Sequence, residues 1–196
     1  MDLNYGFLAV AEVDRFGNPL AEWNIPVPMR DRTANQINAA LGDALKEVME
    51  LAVAGNKPVV MESLDCDKKK RSLGEKGGRY SRMLSGLVYA KYHKMAESAA
   101  GRAAVDLIPK NPFATSAAGQ VKFMRRYGLG SHGAAACMIA RRGLGFNLEG
   151  PAASGAMILP DRLRVKRGVY WLQVCRRLKT VRFGNRISLL YADSDI

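Results

Sequence analysis

The chain reads as an α/β domain on three observations. Residues Lys57-Pro58-Val59-Val60-Met61-Glu62 form an almost unbroken apolar run, the pattern of a parallel strand buried on both faces. A helix-period segment, Thr33 to Gly55, precedes that run, and a second, Met83 to Ala99, follows it. Strands that alternate with helices of this length build layered α/β sheets.

Each element has its own signal. Gly6 to Val13 reads as a strand, Asp14-Arg15-Phe16-Gly17-Asn18-Pro19 as a turn, and Leu20 to Val27 as the strand that completes a hairpin. Thr33 followed by Gln36 has the form of a capping box, and Ile37, Leu41, Leu45, Val48 and Leu51 recur at helical spacing until Gly55. A charged loop, Asp65 to Gly78, separates the Glu62 strand from the second helix, which stops near Gly101. Ala104 to Ile108 is a short strand, cut off by Pro109. The chain is loop-like from Asn111, with a short helix over Val121 to Tyr127. Ser131 is the expected N-cap of a helix running from His132 to about Arg142, and a further helix is expected around Val169 to Leu178.

The length, 196 residues, suffices for one well-buried core, and 48% hydrophobic with 24% charged residues is the composition of a globular chain. The net charge of +12 is uneven: residues 121–196 carry 14 Lys/Arg against 4 Asp/Glu, and residues 1–120 carry 16 against 14. A cationic surplus gathered at one end and dominated by arginine points to a polyanionic partner, because neutralising phosphates releases counterions. Cys66, Cys137 and Cys175 are odd in number and far apart, which fits a reducing compartment and disfavours structural zinc. No apolar run approaches the ~18 residues that span a bilayer, so no membrane partner and a cytoplasmic location are expected.

Glu62 is the residue with the clearest chemical implication. It ends the buried run, and open α/β sheets bind ligands at the carboxyl ends of their strands. Phosphodiester hydrolysis with two divalent ions ~3.5–4 Å apart needs acidic or imidazole ligands from separate elements. Asp2 before the first hairpin strand, Glu62, and His132 at a helix start are the residues that can converge in this way. Each also has an ordinary reading: a solvated terminal aspartate, a strand-end glutamate emerging into water, and a surface or capping histidine.

Hairpin, helix, strand, helix, strand, helix is the order of a ribonuclease-H-like domain, provided that another strand precedes the hairpin. Dispersed motifs extend the parallel. Asp2-Leu3-Asn4, Val13 to Pro19, Val59-Val60-Met61-Glu62-Ser63-Leu64-Asp65 and Lys68-Lys69-Lys70 resemble segments of the TnpB-type (OrfB) transposon-associated proteins. So do Arg82-Met83-Leu84-Ser85, Asn111-Pro112 with Thr115-Ser116, and Ser131 to Phe146. The resemblance implies a RuvC-like, ribonuclease-H-fold nuclease domain over 1–146, with a mixed sheet, flanking helices and Mg²⁺ or Mn²⁺ as cofactor, and a basic C-terminal extension over 147–196. It implies DNA, and possibly guide RNA, as partners. It aligns Asp2 with the family's first catalytic aspartate, Glu62 with its glutamate, and His132 with a third aspartate.

Three departures accompany it. His132 stands in place of a carboxylate, residues 119–130 offer no cysteine for the family's zinc ribbon, so no zinc is expected, and the large N-terminal region is missing. The first strand is expected to be largely absent, and an upstream polypeptide is the expected means of completing it. Lys68, Lys69, Lys70, Arg141, Arg142, Arg176 and Arg177 are the candidate nucleic-acid contacts, with Tyr170 and Trp171 either stacking on bases or packed under the last helix. A nucleic-acid-binding module without nuclease activity is the alternative function, and a decayed reading frame the third reading.

Overall fold

Two side-chain periodicities shape the molecule, which is described by a computed structural model over residues 1–63, 79–150, 166–182 and 185–186, with backbone alone over 79–90. β1 (Asp2–Asn4), β2 (Phe7–Val13) and β3 (Pro19–Pro26) form an antiparallel sheet in that order, with Asp2 opposite Ala9 and Ala11 opposite Glu22. Alternation along β2 sends Leu8 and Val10 to one face and Phe7, Ala9, Ala11 and Val13 to the other, and both faces are covered. The opening strand is therefore present but only three residues long. Gly6, at φ +92°, turns it into β2 through a conformation that L-residues rarely adopt.

α1 (Ala34–Ala54) starts at the capping box: Thr33 Oγ1 accepts from the Gln36 N–H, and Gln36 Oε1 accepts from the Thr33 N–H. It buries Ile37, Leu41, Leu45 and Val48 against Leu8, Val10, Ile25, Val59 and Met61. α2 (Arg79–Ala103) adds Tyr92, Ala96, Ala99 and Ala100 to the same core. Between these helices lies β4 (Val59–Glu62), paired in parallel with β5 (Leu107–Lys110).

Pro109 sits inside β5 instead of ending it. The Val59 N–H donates to the Asp106 carbonyl and the Ser63 N–H to the Lys110 carbonyl. Residues 106, 108 and 110 thus face β4, and the nitrogen of Pro109 points outward, where a missing N–H costs no ladder bond.

On the opposite face the layers are helical: α3 (Thr115–Lys122), α4 (Met124–Tyr127), α5 (Ser131–Gly143) and α6 (Arg167–Thr180). Every residue of α5 from Gly133 to Arg142 is buried, because the helix lies between the sheet and the outer helices. α3 approaches it closely: a Cβ on Gly119 would stand 2.7 Å from the carbonyl carbon of Ala134. α5 is not capped by Ser131, which is its first helical residue. Gly130 occupies the N-cap, and its N–H donates to Glu22 Oε1 at 3.3 Å.

Of the described residues beyond 146, α6 packs against this body. Trp171 and Tyr170 of α6 are buried with Ala117, Val121 and Met138, and the Trp171 indole N–H donates to the Glu149 carbonyl at 2.8 Å. Among the described residues the architecture is mixed α/β, with one antiparallel and one parallel sheet. A bond from the Met1 nitrogen to the Val60 carbonyl, 2.6 Å, links the two.

Candidate active site

The Met1–Val60 bond decides how β1 lies against β4. Met1 and Leu3 face the α1 core, as do Val59 and Met61, whereas Val60 packs beside Gly143 of α5 on the other face. Antiparallel pairing through this bond would set Met1 or Asp2 opposite a residue of the wrong face. Parallel pairing sets Met1 beside Met61 and Asp2 beside Glu62, with faces matched. Both carboxylates act on the buried Met1 amine, so both lie within electrostatic reach of this end of β4. Asp2 is steadied by Asn4, whose Nδ2 donates to Asp2 Oδ2 at 3.1 Å.

His132 lies at the same edge but does not close a triad. Its imidazole is exposed and meets the Phe7 ring edge-on, with centroids 5.2 Å apart and planes at 85°. Among the described residues, no three His, Cys, Asp or Glu side chains are grouped so as to hold a metal ion. Asp2 and Glu62 are the two carboxylates that both act on the Met1 amine, and carboxylate oxygens are the type of donor a hard divalent ion takes.

Two basic groups share this corner. The Met1 amine is buried, and burial lowers it to about 6 although the carboxylates of Asp2 and Glu62 pull it upward. His93, on α2, hydrogen-bonds the backbone of Glu62; burial lowers its pKa, and Glu97 and that bond oppose the shift. No sequence signal singles out His93, which follows buried Tyr92 in mid-helix. Glu22 is likewise found only in three dimensions, at the start of α5 beside Gly133.

The arginines divide. Arg141 and Arg142, expected as phosphate contacts, are only 9% and 5% exposed. Arg141 Nε donates to Glu149 Oε1 at 2.6 Å and a terminal nitrogen to the Gly17 carbonyl at 2.7 Å, with the guanidinium over the rings of Phe123 and Phe146. Arg142 donates to the carbonyls of Asn111 and Phe113. These side chains belong to the scaffold, because a guanidinium spent on buried carbonyls and a carboxylate has no face left for a nucleic acid. Arg176 and Arg177 do lie on the exposed face of α6, opposite buried Tyr170, Trp171, Val174 and Leu178. Tyr170 and Trp171 are therefore packing residues, not base-stacking ones. Lys68, Lys69, Lys70 and Cys66 lie outside the described residues.

Burial pushes the Cys137 thiol up to about 11, so it is not a nucleophile. No described helix is long and apolar enough to cross a membrane. Comparison with protein-family models, curated proteins and solved structures returns no match.

Proposed function

We propose that the chain is a ribonuclease-H-like, RuvC-type domain of the TnpB kind, which hydrolyses phosphodiesters of DNA with a divalent cation held by Asp2 and Glu62 and bordered by His132. The observation that carries this reading is the Met1–Val60 bond, which brings β1 against β4 and sets Asp2 and Glu62 both within reach of the Met1 amine. The strand sequence supports it too: an antiparallel trio whose first member adjoins a parallel pair has the order of that fold.

A bound Mg²⁺ or Mn²⁺ would supply activated water and charge neutralisation at the phosphate. The chain's own part is to bring two carboxylates to the sheet edge and to present His132 near them from the start of α5. His93 anchors the Glu62 backbone from behind, and so orients the end of β4. The exposed arginines of α6 hold a phosphate backbone without reading its sequence. Cleavage of a supercoiled plasmid in Mn²⁺, lost in both Asp2→Asn and Glu62→Gln, is the expected result. Cleavage that persists in both variants would refute the assignment.

The second reading, a nucleic-acid-binding module without nuclease activity, has its own support: two grouped carboxylates with no third ligand among the described residues, and a basic face on α6. It expects salt-sensitive binding that needs no divalent ion.

A further inference from the structure

The turn between β2 and β3, Asp14 to Pro19, carries an aromatic ring that joins none of the cores. Phe16 is 62% exposed, and the Arg15 guanidinium lies over its ring, 4.7 Å from the centroid. The backbone beneath it is fixed. Asp14 Oδ1 accepts from the N–H groups of Phe16 and Asn18, both at 2.8 Å, and Gly17 turns at φ +78°. Arg141 donates to the Gly17 carbonyl at 2.7 Å, and the Tyr127 hydroxyl donates to Asn18 Oδ1 at 2.8 Å.

A series of ring and cation contacts runs behind the turn. Arg126 lies over Tyr127 at 5.2 Å, Tyr127 stacks on Phe123 with planes at 8°, and Arg141 lies over both Phe123 and Phe146, 4.8 and 4.4 Å from their centroids. Phe146 is the exposed end, at 40%. Arg141 also approaches the Phe16 carbonyl at 3.5 Å, so both exposed phenylalanines adjoin one guanidinium.

The charge in this region is unbalanced. Asp14 is engaged by its own turn and by Asn18, Glu12 by Lys57, and Glu149 by Arg141 and Lys122. Arg15 and Arg126, both exposed, have no carboxylate partner among the described residues.

An exposed flat ring with unpaired arginines beside it suits a planar base joined to phosphates. We propose that the Phe16 turn is a stacking site for single-stranded nucleic acid: one unpaired base lies on Phe16, its neighbour on Phe146, and Arg15 and Arg126 meet the phosphates. Asp14 lies five residues along the chain from Ala9, the strand partner of Asp2, about 17 Å at ~3.3 Å per residue, so this surface is distinct from the carboxyl edge. An acidic peptide would satisfy the arginines but brings no flat face to the rings, and a duplex keeps its bases stacked inside. The fixed turn adds to the preference, because the ring's backbone is already ordered before a base arrives. The inference rests on the nucleic-acid partner of the proposed function and on none of its metal chemistry.

The test titrates strands of thymidine and of uridine, about a dozen nucleotides long, in EDTA. The unmodified chain should bind them. Phe16→Leu keeps apolar bulk but not the flat face, and should weaken binding about fivefold or more, whereas Phe16→Trp should retain it. Arg15→Gln should lower the log–log salt slope by about one unit. Strands carrying 5-iodouracil, irradiated in the complex, should crosslink to Phe16 or Phe146. Binding of the DNA arm alone, or of the RNA arm alone, supports the site and identifies its strand. Binding by Phe16→Leu equal to that of the unmodified chain, crosslinks confined to other residues, or displacement by poly-glutamate as effective as by unlabelled strand would each overturn the proposal. Should Phe16→Leu fail to fold, the crosslinks of the unmodified chain decide alone. Because EDTA removes divalent ions, failure here leaves the assignment of Asp2 and Glu62 to its own test.

Discussion

The Met1 nitrogen donates to the Val60 carbonyl at 2.6 Å, and this bond carries the alignment of Asp2 with Glu62. Because the amine is buried, its protonation is linked to folding. In the folded chain it titrates near 6, against 8.0 for the exposed group. Between these values the unfolded chain binds more protons, so stability rises with pH across that window. Two pH units amount to roughly 2–3 kcal/mol at most. Urea midpoints of the chain with a free Met1 amine should be higher at pH 8.5 than at pH 5.5, and acetylation of that amine should reduce the difference to the part that His93, also lowered by burial, contributes. A midpoint equally pH-dependent after acetylation would contradict this.

Glu149 anchors the second core. Burial alone would raise its carboxyl, but hydrogen bonds from Arg141 and Lys122 outweigh that and hold it below the usual range. Glu149→Ala strands the Arg141 guanidinium among Phe123 and Phe146, and should cost about 3–5 kcal/mol. Thermal or urea unfolding measures it; a loss below about 1 kcal/mol would mean the pair is solvated.

The two classes of arginine should separate experimentally. Arg176→Ala with Arg177→Ala, on the exposed face of α6, should lower the log–log salt slope of DNA binding by about one to two units and leave the melting temperature nearly unchanged. Arg141→Ala should instead lower the melting temperature and leave the slope of the folded protein as it was.

Gly119→Ala tests the close approach of α3 to α5. The added methyl meets the Ala134 backbone at 2.7 Å, and backbone cannot rotate away as a side chain can. The gain in helix propensity is outweighed, and a net loss of about 1–3 kcal/mol is expected. A more stable variant would show that the two helices can separate at little cost.

The elements that were legible in the sequence are those whose burial writes a period or a cap: β2 and β3 around the Asp14 turn, α1 with its Thr33 box, β4, and α5. α3 was not, because Ala117, Ala118 and Gly119 are small residues chosen for contact distance, and contact distance leaves no hydrophobic period. Pro109 misled because a proline ends a central strand but not an edge whose nitrogens face outward. Arg141 and Arg142 misled for a related reason: a count of charges cannot see that Glu149 and the loop carbonyls of Gly17, Asn111 and Phe113 lie within their reach. Of the proposed site, Asp2 and Glu62 were chosen from their places near strand ends. His93 became visible only when α2 passed behind β4.

The pairing of Asp2 with Glu62 as a divalent-cation site is the central claim, and calorimetric titration with Mn²⁺ tests it most directly. The unmodified chain should bind Mn²⁺. Asp2→Asn and Glu62→Gln should each weaken binding by on the order of tenfold or more, since each removes an anionic oxygen ligand. His132→Asp should preserve or strengthen it, because a carboxylate is the harder ligand. Equal affinities in all four proteins, or no Mn²⁺ binding by the unmodified chain, would contradict the account.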